Sequence, residues 1–350
     1  MPQAPSPFHE RKRRSVLPEL LPRVQGDPSG LARDEGLVRE MLETCLKLLR
    51  DEASVGDLKI LNAALRELRY AFKVFAPYHR VRKVSAFGSA RTPPDAPAYR
   101  TAFEFSREIA SRGYMVITGG GHGIMGACQE GAGREHSFGV NIKLPFEQDP
   151  NEFIHDDPKL VTFRYFFTRK LMFMKEADAI VLFPGGFGTH DEGYEALTLL
   201  QTGKMNPVPV VFLDAPGGTY WESWFAYVRE HLLQPRLISE EDLALFRVTG
   251  SVAEAVEEIT TFHRVYHSSR YVGRDWVVRL NHRIPDALVR DLEREFALLI
   301  AEGGITQCQA LPEEADGDPD LDHLPRLAFT ARRHHFGLRR RLIDRLNRDG

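Results

Sequence analysis

The sequence predicts an α/β fold: a Rossmann-like doubly wound parallel sheet, with N-terminal helices before it and a small C-terminal α+β module after it. Three observations predict this. Short apolar runs alternate with helical patterns over residues 80–265, several of the runs stop at glycine or proline, and the rhythm on either side of that stretch is different. A repeated strand-helix-strand order needs crossover connections and covers both faces of a parallel sheet. With 350 residues, of which 43% are hydrophobic and 27% charged, the chain can bury an ample core, which excludes disorder as its main state.

Taken in order, residues 1–34 are dotted with proline and read as a flexible arm. Its HERKRR at 9–14 lacks the apolar stretch of a secretory signal. Residues 35–79 carry apolar side chains at helical spacing: Leu37, Met41, Cys45, Leu48 and Leu49, then Leu58, Leu61, Leu65, Leu68 and Phe72. They predict two amphipathic helices. Within 80–265 the runs KVSAFGSA, YMVITGGG, FGVNIKLP, AIVLFPGG and VPVVFLD predict strands. The segments between and after them, such as AYRTAFEFSREIAS and THDEGYEALTLLQ, predict helices. Residues 266–350 return to a mixed pattern: SRYVGRDWVVRL, a helix IPDALVRDLEREFALLI, strands ITQCQAL and RLAFTARR, and a basic last helix. This pattern predicts a ferredoxin-like α+β accessory module.

Charge and cysteine usage narrow the function. A formal net charge of -3 supplies no global field to draw the chain onto nucleic acid or an anionic membrane, so an anion site must be local. Residues 326–350 hold eight arginines against two acids, but the linker EEADGDPDLD holds six acids, and the two patches are expected to offset each other. No apolar run approaches the length of a membrane span. Cys45, Cys128 and Cys308 form neither a CxxC pair nor a disulfide framework, which fits a reducing, cytoplasmic setting. His122, His190 and the His334-His335 pair lack metal-ligand spacing, so no metal site is expected.

Two glycine-rich turns carry the chemistry. In an open parallel sheet, ligands bind beyond the carboxyl ends of the strands. The first turn, Thr118-Gly119-Gly120-Gly121-His122-Gly123, follows a strand and opens a helix, where free N–H groups favour a phosphate. Packing alone would also explain Gly123 and Gly126. Residues 121–126 fit G-x-G-x-x-G, but the next strand ends Asn141-Ile142-Lys143 without the ribose-binding acid of a dinucleotide site, and Glu147 lies past Pro145 in a loop. A nicotinamide-dependent oxidoreductase is therefore disfavoured. The second turn is Pro184-Gly185-Gly186-Phe187-Gly188-Thr189, leading to Glu192. Glu192 has a second explanation, because Thr189-x-x-Glu192 also spells a helix capping box. Arg169 and Lys170, by themselves, read equally well as a solvated helix face. The residues alone thus reach a phosphate or nucleotide site with a carboxylate and cations nearby.

With GGGHGIMG at 119–126, Arg169-Lys170, and PGGFGTHDE at 184–192 in that order, the sequence resembles the Lonely Guy (LOG) family, long labelled "possible lysine decarboxylase". The resemblance covers roughly residues 80–263. His190-Asp191 replace the usual leucine and acid, leaving Glu192 in register. The resemblance implies hydrolysis of the N-glycosidic bond of a nucleoside 5'-monophosphate, AMP or a cytokinin nucleotide, to free base and ribose 5-phosphate, as in an AMP nucleosidase. Arg169 and Glu192 would form the catalytic pair. Gly185, Gly186, Gly188 and Thr189 would gather the phosphate and ribose, beside Gly119, Gly120, Gly121, Gly123 and Lys170. It implies no cofactor, and nothing in the sequence marks a pyridoxal phosphate lysine. It also implies a homodimer through the core domain, to which Tyr194, Leu197, Leu199 and Leu200 would contribute. The alternative is a binding protein that holds a phosphorylated ligand without turnover, like the related molybdenum-cofactor carriers.

Overall fold

The computed structural model describes residues 33–144, 149–314, 319–332 and 334–350. The expected N-terminal arm, apart from its last two residues, lies outside the described residues, as do Glu147, Arg333 and the middle of the acidic linker. The chain divides into two units between Leu65 and Arg66. The first contains helix α1 (Arg33–Arg50) and the start of helix α2 (Val55–Phe75). Ser54 begins α2: its Oγ accepts from the Asp57 amide at 3.1 Å, satisfying a donor that a helix start leaves unpaired. Leu37, Met41, Leu49, Leu61 and Leu65 are exposed.

In the second unit, strands β1 (Lys83–Phe87), β2 (Met115–Thr118), β3 (Ser137–Ile142), β4 (Leu160–Phe163), β5 (Ala179–Leu182), β6 (Val210–Leu213) and β7 (Arg247–Thr249) form one sheet. Their order is β4-β3-β2-β1-β5-β6-β7, and every pairing is parallel. The five predicted strand runs are β1, β2, β3, β5 and β6. The two edge strands, β4 and β7, carry no such run. At four and three residues, LVTF and RVT are too short to show a pattern.

Helices α3 (Pro97–Ser111), α4 (Ile124–Ala132), α5 (Phe166–Lys175), α6 (Phe187–Gln201), α7 (Tyr220–Tyr227) and α8 (Val252–Phe262) cover the sheet. On one face Phe105, Ile109, Ile124 and Ile259 pack against Val84, Val116 and Val181. On the other, Phe75, Phe173, Trp221 and Trp224 pack against Phe138, Leu182 and Phe212. The chain winds from β1 outward to β4, then returns to lay β5 on the other side of β1. That reversal opens a crevice at the carboxyl ends of β1 and β5.

Residues 266–350 form β8 (Tyr266–Val272), β9 (Asp275–Leu280), α9 (Asp286–Glu295), β10 (Ile300–Cys308), β11 (Arg326–Ala331) and α10 (Phe336–Asp349). The sheet is antiparallel, in the order β10-β11-β9-β8. This corrects the ferredoxin-like expectation, which requires a helix after the first strand. Here Gly273-Arg274 turns β8 directly into β9, so each helix follows an antiparallel strand pair. The module has its own core of Trp276, Leu327, Phe329, Leu342 and Ile343. It is nevertheless joined to the end of α8, because buried Asn347 accepts from the Val265 and Tyr266 amides at 2.8 and 3.0 Å and donates to the Phe262 carbonyl at 2.6 Å.

The charge expectation for this module also needs correction. Among the described residues of the arginine-rich end, only Arg326 meets the acidic linker, through Glu314. Arg340 instead pairs with Glu258 and Asp344, and Arg345 with Glu295. Sequence proximity of charge blocks does not decide which of them the fold brings together. Among the described residues no helix is long and apolar enough to cross a membrane.

Candidate active site

At the carboxyl ends of β1, β2 and β5 a cleft of about 750 Å³ opens. Gly119, Gly121, Gly185, Gly186, Gly188, Thr189, Arg169 and Glu192 all line it. A third turn, Gly88-Ser89-Ala90-Arg91 after β1, lines it too and was missed in the sequence. Its signal was available in principle, since KVSAF also ends in a glycine turn at the same edge.

The three turns hold one another through backbone. Ser89 N–H donates to the Pro184 carbonyl at 3.2 Å, and Ile124 N–H donates to the Ser89 carbonyl at 3.0 Å. Gly123 sits at φ 63°, and a Cβ there would stand 2.4 Å from the Ser89 oxygen, so only glycine fits. Gly120 and Gly123 shape the turn and do not line the cleft. Asn151 completes the scaffold: its Nδ2 donates to the carbonyls of Gly120 and Gly121 at 3.1 and 2.7 Å, and to Gln129 Oε1 at 2.6 Å. No motif marks Asn151, because its role exists only once a loop distant in sequence folds against the turn.

Glu192 lies on α6, which starts at Phe187 with Gly186 as N-cap and no side-chain cap. The capping-box alternative is therefore wrong. Thr189 is already inside the helix, its own N–H bonded to the Gly186 carbonyl at 3.0 Å. The glycine pair lets the helix begin three residues earlier than the Thr-x-x-Glu spacing would place it. Glu192 thus falls in the second turn and projects into the cleft, 6% exposed, with Oε2 buried and without a hydrogen-bond partner. Burial pushes its carboxyl up to about 7, against the opposing pull of Lys170 and Arg169.

Arg169 comes from α5 and reaches the first turn: its Nη2 lies 3.0 Å from where a Cβ on Gly119 would stand. The guanidinium rests over the rings of Phe173 and Phe166, at 5.3 and 5.8 Å. Burial lowers its pKa from the ordinary arginine value, with Glu192 partly offsetting this, and its Nε is buried without a partner. It is not the solvated arginine that the sequence also allowed. Lys170 behaves otherwise. Its Nζ pairs with Glu195 at 2.8 Å and Asp191 at 2.9 Å, and it does not line the cleft.

At the rim, Tyr220 donates its hydroxyl to the Gly185 carbonyl at 2.5 Å and meets His190 Nε2 at 2.7 Å, tying the second turn to α7. Phe187 is 97% exposed, an apolar ring held in water at the mouth. The arrangement offers glycine-rich turns for an anion, one carboxyl that titrates near neutrality and one half-buried cation. Such a set can hold a phosphate ester and move or stabilise charge at a carbon a few ångströms away.

Residues 125–259 match the family described as "Possible lysine decarboxylase". A cytokinin riboside 5'-monophosphate phosphoribohydrolase of Mycobacterium tuberculosis is 32% identical over 131 residues, which is 37% of this chain and 68% of that protein. The Arabidopsis thaliana cytokinin riboside 5'-monophosphate phosphoribohydrolase LOG2 is 25% identical over 153 residues, 43% of this chain and 69% of that protein. Among solved structures, a molybdenum cofactor carrier protein from Chlamydomonas reinhardtii aligns at 23% identity over 51% of this chain and 96% of its own, with a TM-score of 0.36.

Proposed function

The chain belongs to the Lonely Guy family, and from that premise we propose that it hydrolyses the N-glycosidic bond of a nucleoside 5'-monophosphate to free base and ribose 5-phosphate. One observation carries the reading: the buried Glu192 carboxyl, held near neutrality, faces a cleft shared with Arg169 and two glycine-rich turns. The relatives named for this reaction support it.

In this reading the 5'-phosphate lies on the turn amides around Gly185 and Gly186. Arg169 offers its unpartnered Nε to the ribose or phosphate oxygens. As the C1'–N bond breaks, positive charge grows on the ribose and the Glu192 carboxylate stabilises it. Water then adds its oxygen to C1' and gives its proton to Glu192, which passes it to the departing base, so one water is consumed per bond cleaved and the carboxylate is regenerated. Lys170 acts at one remove, by fixing Asp191 and Glu195 on α6.

The protein is further proposed to be a cytoplasmic homodimer. Phe166, Phe167 and Leu171 on α5 and Tyr194 on α6 form an exposed apolar surface beside the cleft. Leu200, expected in that surface, is instead buried in the core, with Leu197 and Leu199 packed against it. The deciding experiment incubates the protein with AMP, GMP, CMP and an isopentenyl-adenine nucleotide and measures free base and ribose 5-phosphate. Release from at least one is expected. Tight nucleotide binding with no base released from any would replace this reading with the carrier one.

A further inference from the structure

A second cavity, of about 260 Å³, lies between the end of α6 and the C-terminal sheet and shares no lining residue with the nucleotide cleft. Its wall joins Leu200 and Met205 to Trp276 and three arginines, Arg270, Arg339 and Arg340. Among the described residues no aspartate or glutamate lines it. Three guanidinium groups around one small space, only Arg340 of them paired with carboxylates among the described residues, make a site of positive potential.

Arg339 is the informative residue. It is 2% exposed, and its guanidinium lies over the rings of Phe336, Trp276 and Tyr271, at 4.4, 5.0 and 5.3 Å. Its Nη2 donates to the Arg332 carbonyl at 2.7 Å, but its Nε is buried without a partner and, among the described residues, no carboxylate pairs with it. Arg340, also buried, is neutralised by Glu258 and Asp344 yet keeps Nη1 without a partner. A buried cation with no counter-charge is destabilising. Aromatic faces and the Tyr271 side chain offset part of that cost and leave Nε–H without a partner, an in-plane donor of the kind that binds oxyanions.

We infer that this cavity binds a small organic anion, with its oxyanion head on the free N–H groups of Arg339 and Arg340 and its apolar body against Leu200 and Met205. The head group is a carboxylate or a phosphate monoester, and the two are separated by titration. Neither the site nor its test depends on the proposed hydrolysis.

The full chain is titrated calorimetrically with benzoate, phenyl phosphate and, as the neutral control, benzyl alcohol. At least one anion is expected to bind saturably at millimolar concentration or below, and benzyl alcohol is not. Arg339→Met should weaken that binding about tenfold or more, the size of a lost charge-assisted hydrogen bond. Met205→Trp fills the cavity while keeping Arg339, so it should weaken binding too, and it decides the matter if Arg339→Met does not fold. No saturable binding by either anion, or binding undiminished in a folded variant, overturns the site; the latter result would place the anion in the nucleotide cleft.

Discussion

Glu192 and Arg169 are coupled by charge but joined by no hydrogen bond: Glu192 Oε2 and Arg169 Nε are both buried and both lack a partner among the described residues. A structural ion pair would use those atoms on each other, since unmade bonds to buried charged groups are expensive. Two opposed groups with open valences are instead suited to a molecule that enters between them.

Glu192→Gln is expected to cost about 10²-fold or more in turnover, the range for a lost acid–base or charge-stabilising group. Stability should move the other way. An unfolded carboxyl loses its proton near its ordinary value and the folded one near 7, so between these values the folded state holds more protons and stability falls as pH rises. Glutamine escapes that cost. The variant should match the wild type below about pH 4 and exceed it at pH 8 by on the order of 3 kcal/mol or less. Denaturation at both pH values measures this, and a variant with near-normal AMP hydrolysis would sink the mechanism.

Arg169→Met should shift the pH dependence of kcat. The guanidinium favours the ionised form of Glu192, so removing it raises the Glu192 pKa, and the ascending limb of the profile should move to higher pH. Reduced activity with an unshifted limb would assign Arg169 to substrate binding alone.

Adenosine should react far more slowly than AMP, because a plain nucleoside gives the turn amides no phosphate to bind. Kinetics on the two substrates check this, and equal kcat/KM would remove the phosphate site from the mechanism.

Asn347→Leu should destabilise the whole second unit by about 2–4 kcal/mol, since it leaves the Val265 and Tyr266 amides and the Phe262 carbonyl buried without partners. The same contacts predict that a chain cut near residue 264 loses stability, contrary to a freely removable accessory module. Urea unfolding of both proteins provides the comparison.

Light scattering at micromolar concentration should give a dimer mass, and Phe167→Glu with Leu171→Glu should give a monomer, as charge is placed on the exposed α5 surface. A wild-type monomer would refute the assembly.

The sequence by itself determined the five inner strands, the two glycine-rich turns and the identity of Arg169 and Glu192 as candidates. Period, turn chemistry and motif spacing are local properties, written in neighbouring residues. Tertiary structure alone decided what those residues do. Thr189-x-x-Glu192 spells a cap, yet Gly186 starts the helix earlier and frees the carboxyl for the cleft. Arg169 and Lys170 are adjacent and alike in charge, yet one lines the cleft while the other is held by Asp191 and Glu195. Asn151 and Arg339 had no signal at all, because a side chain's partners and its desolvation are set by segments far away in the chain, and these contacts exist only after the sheet has closed around them.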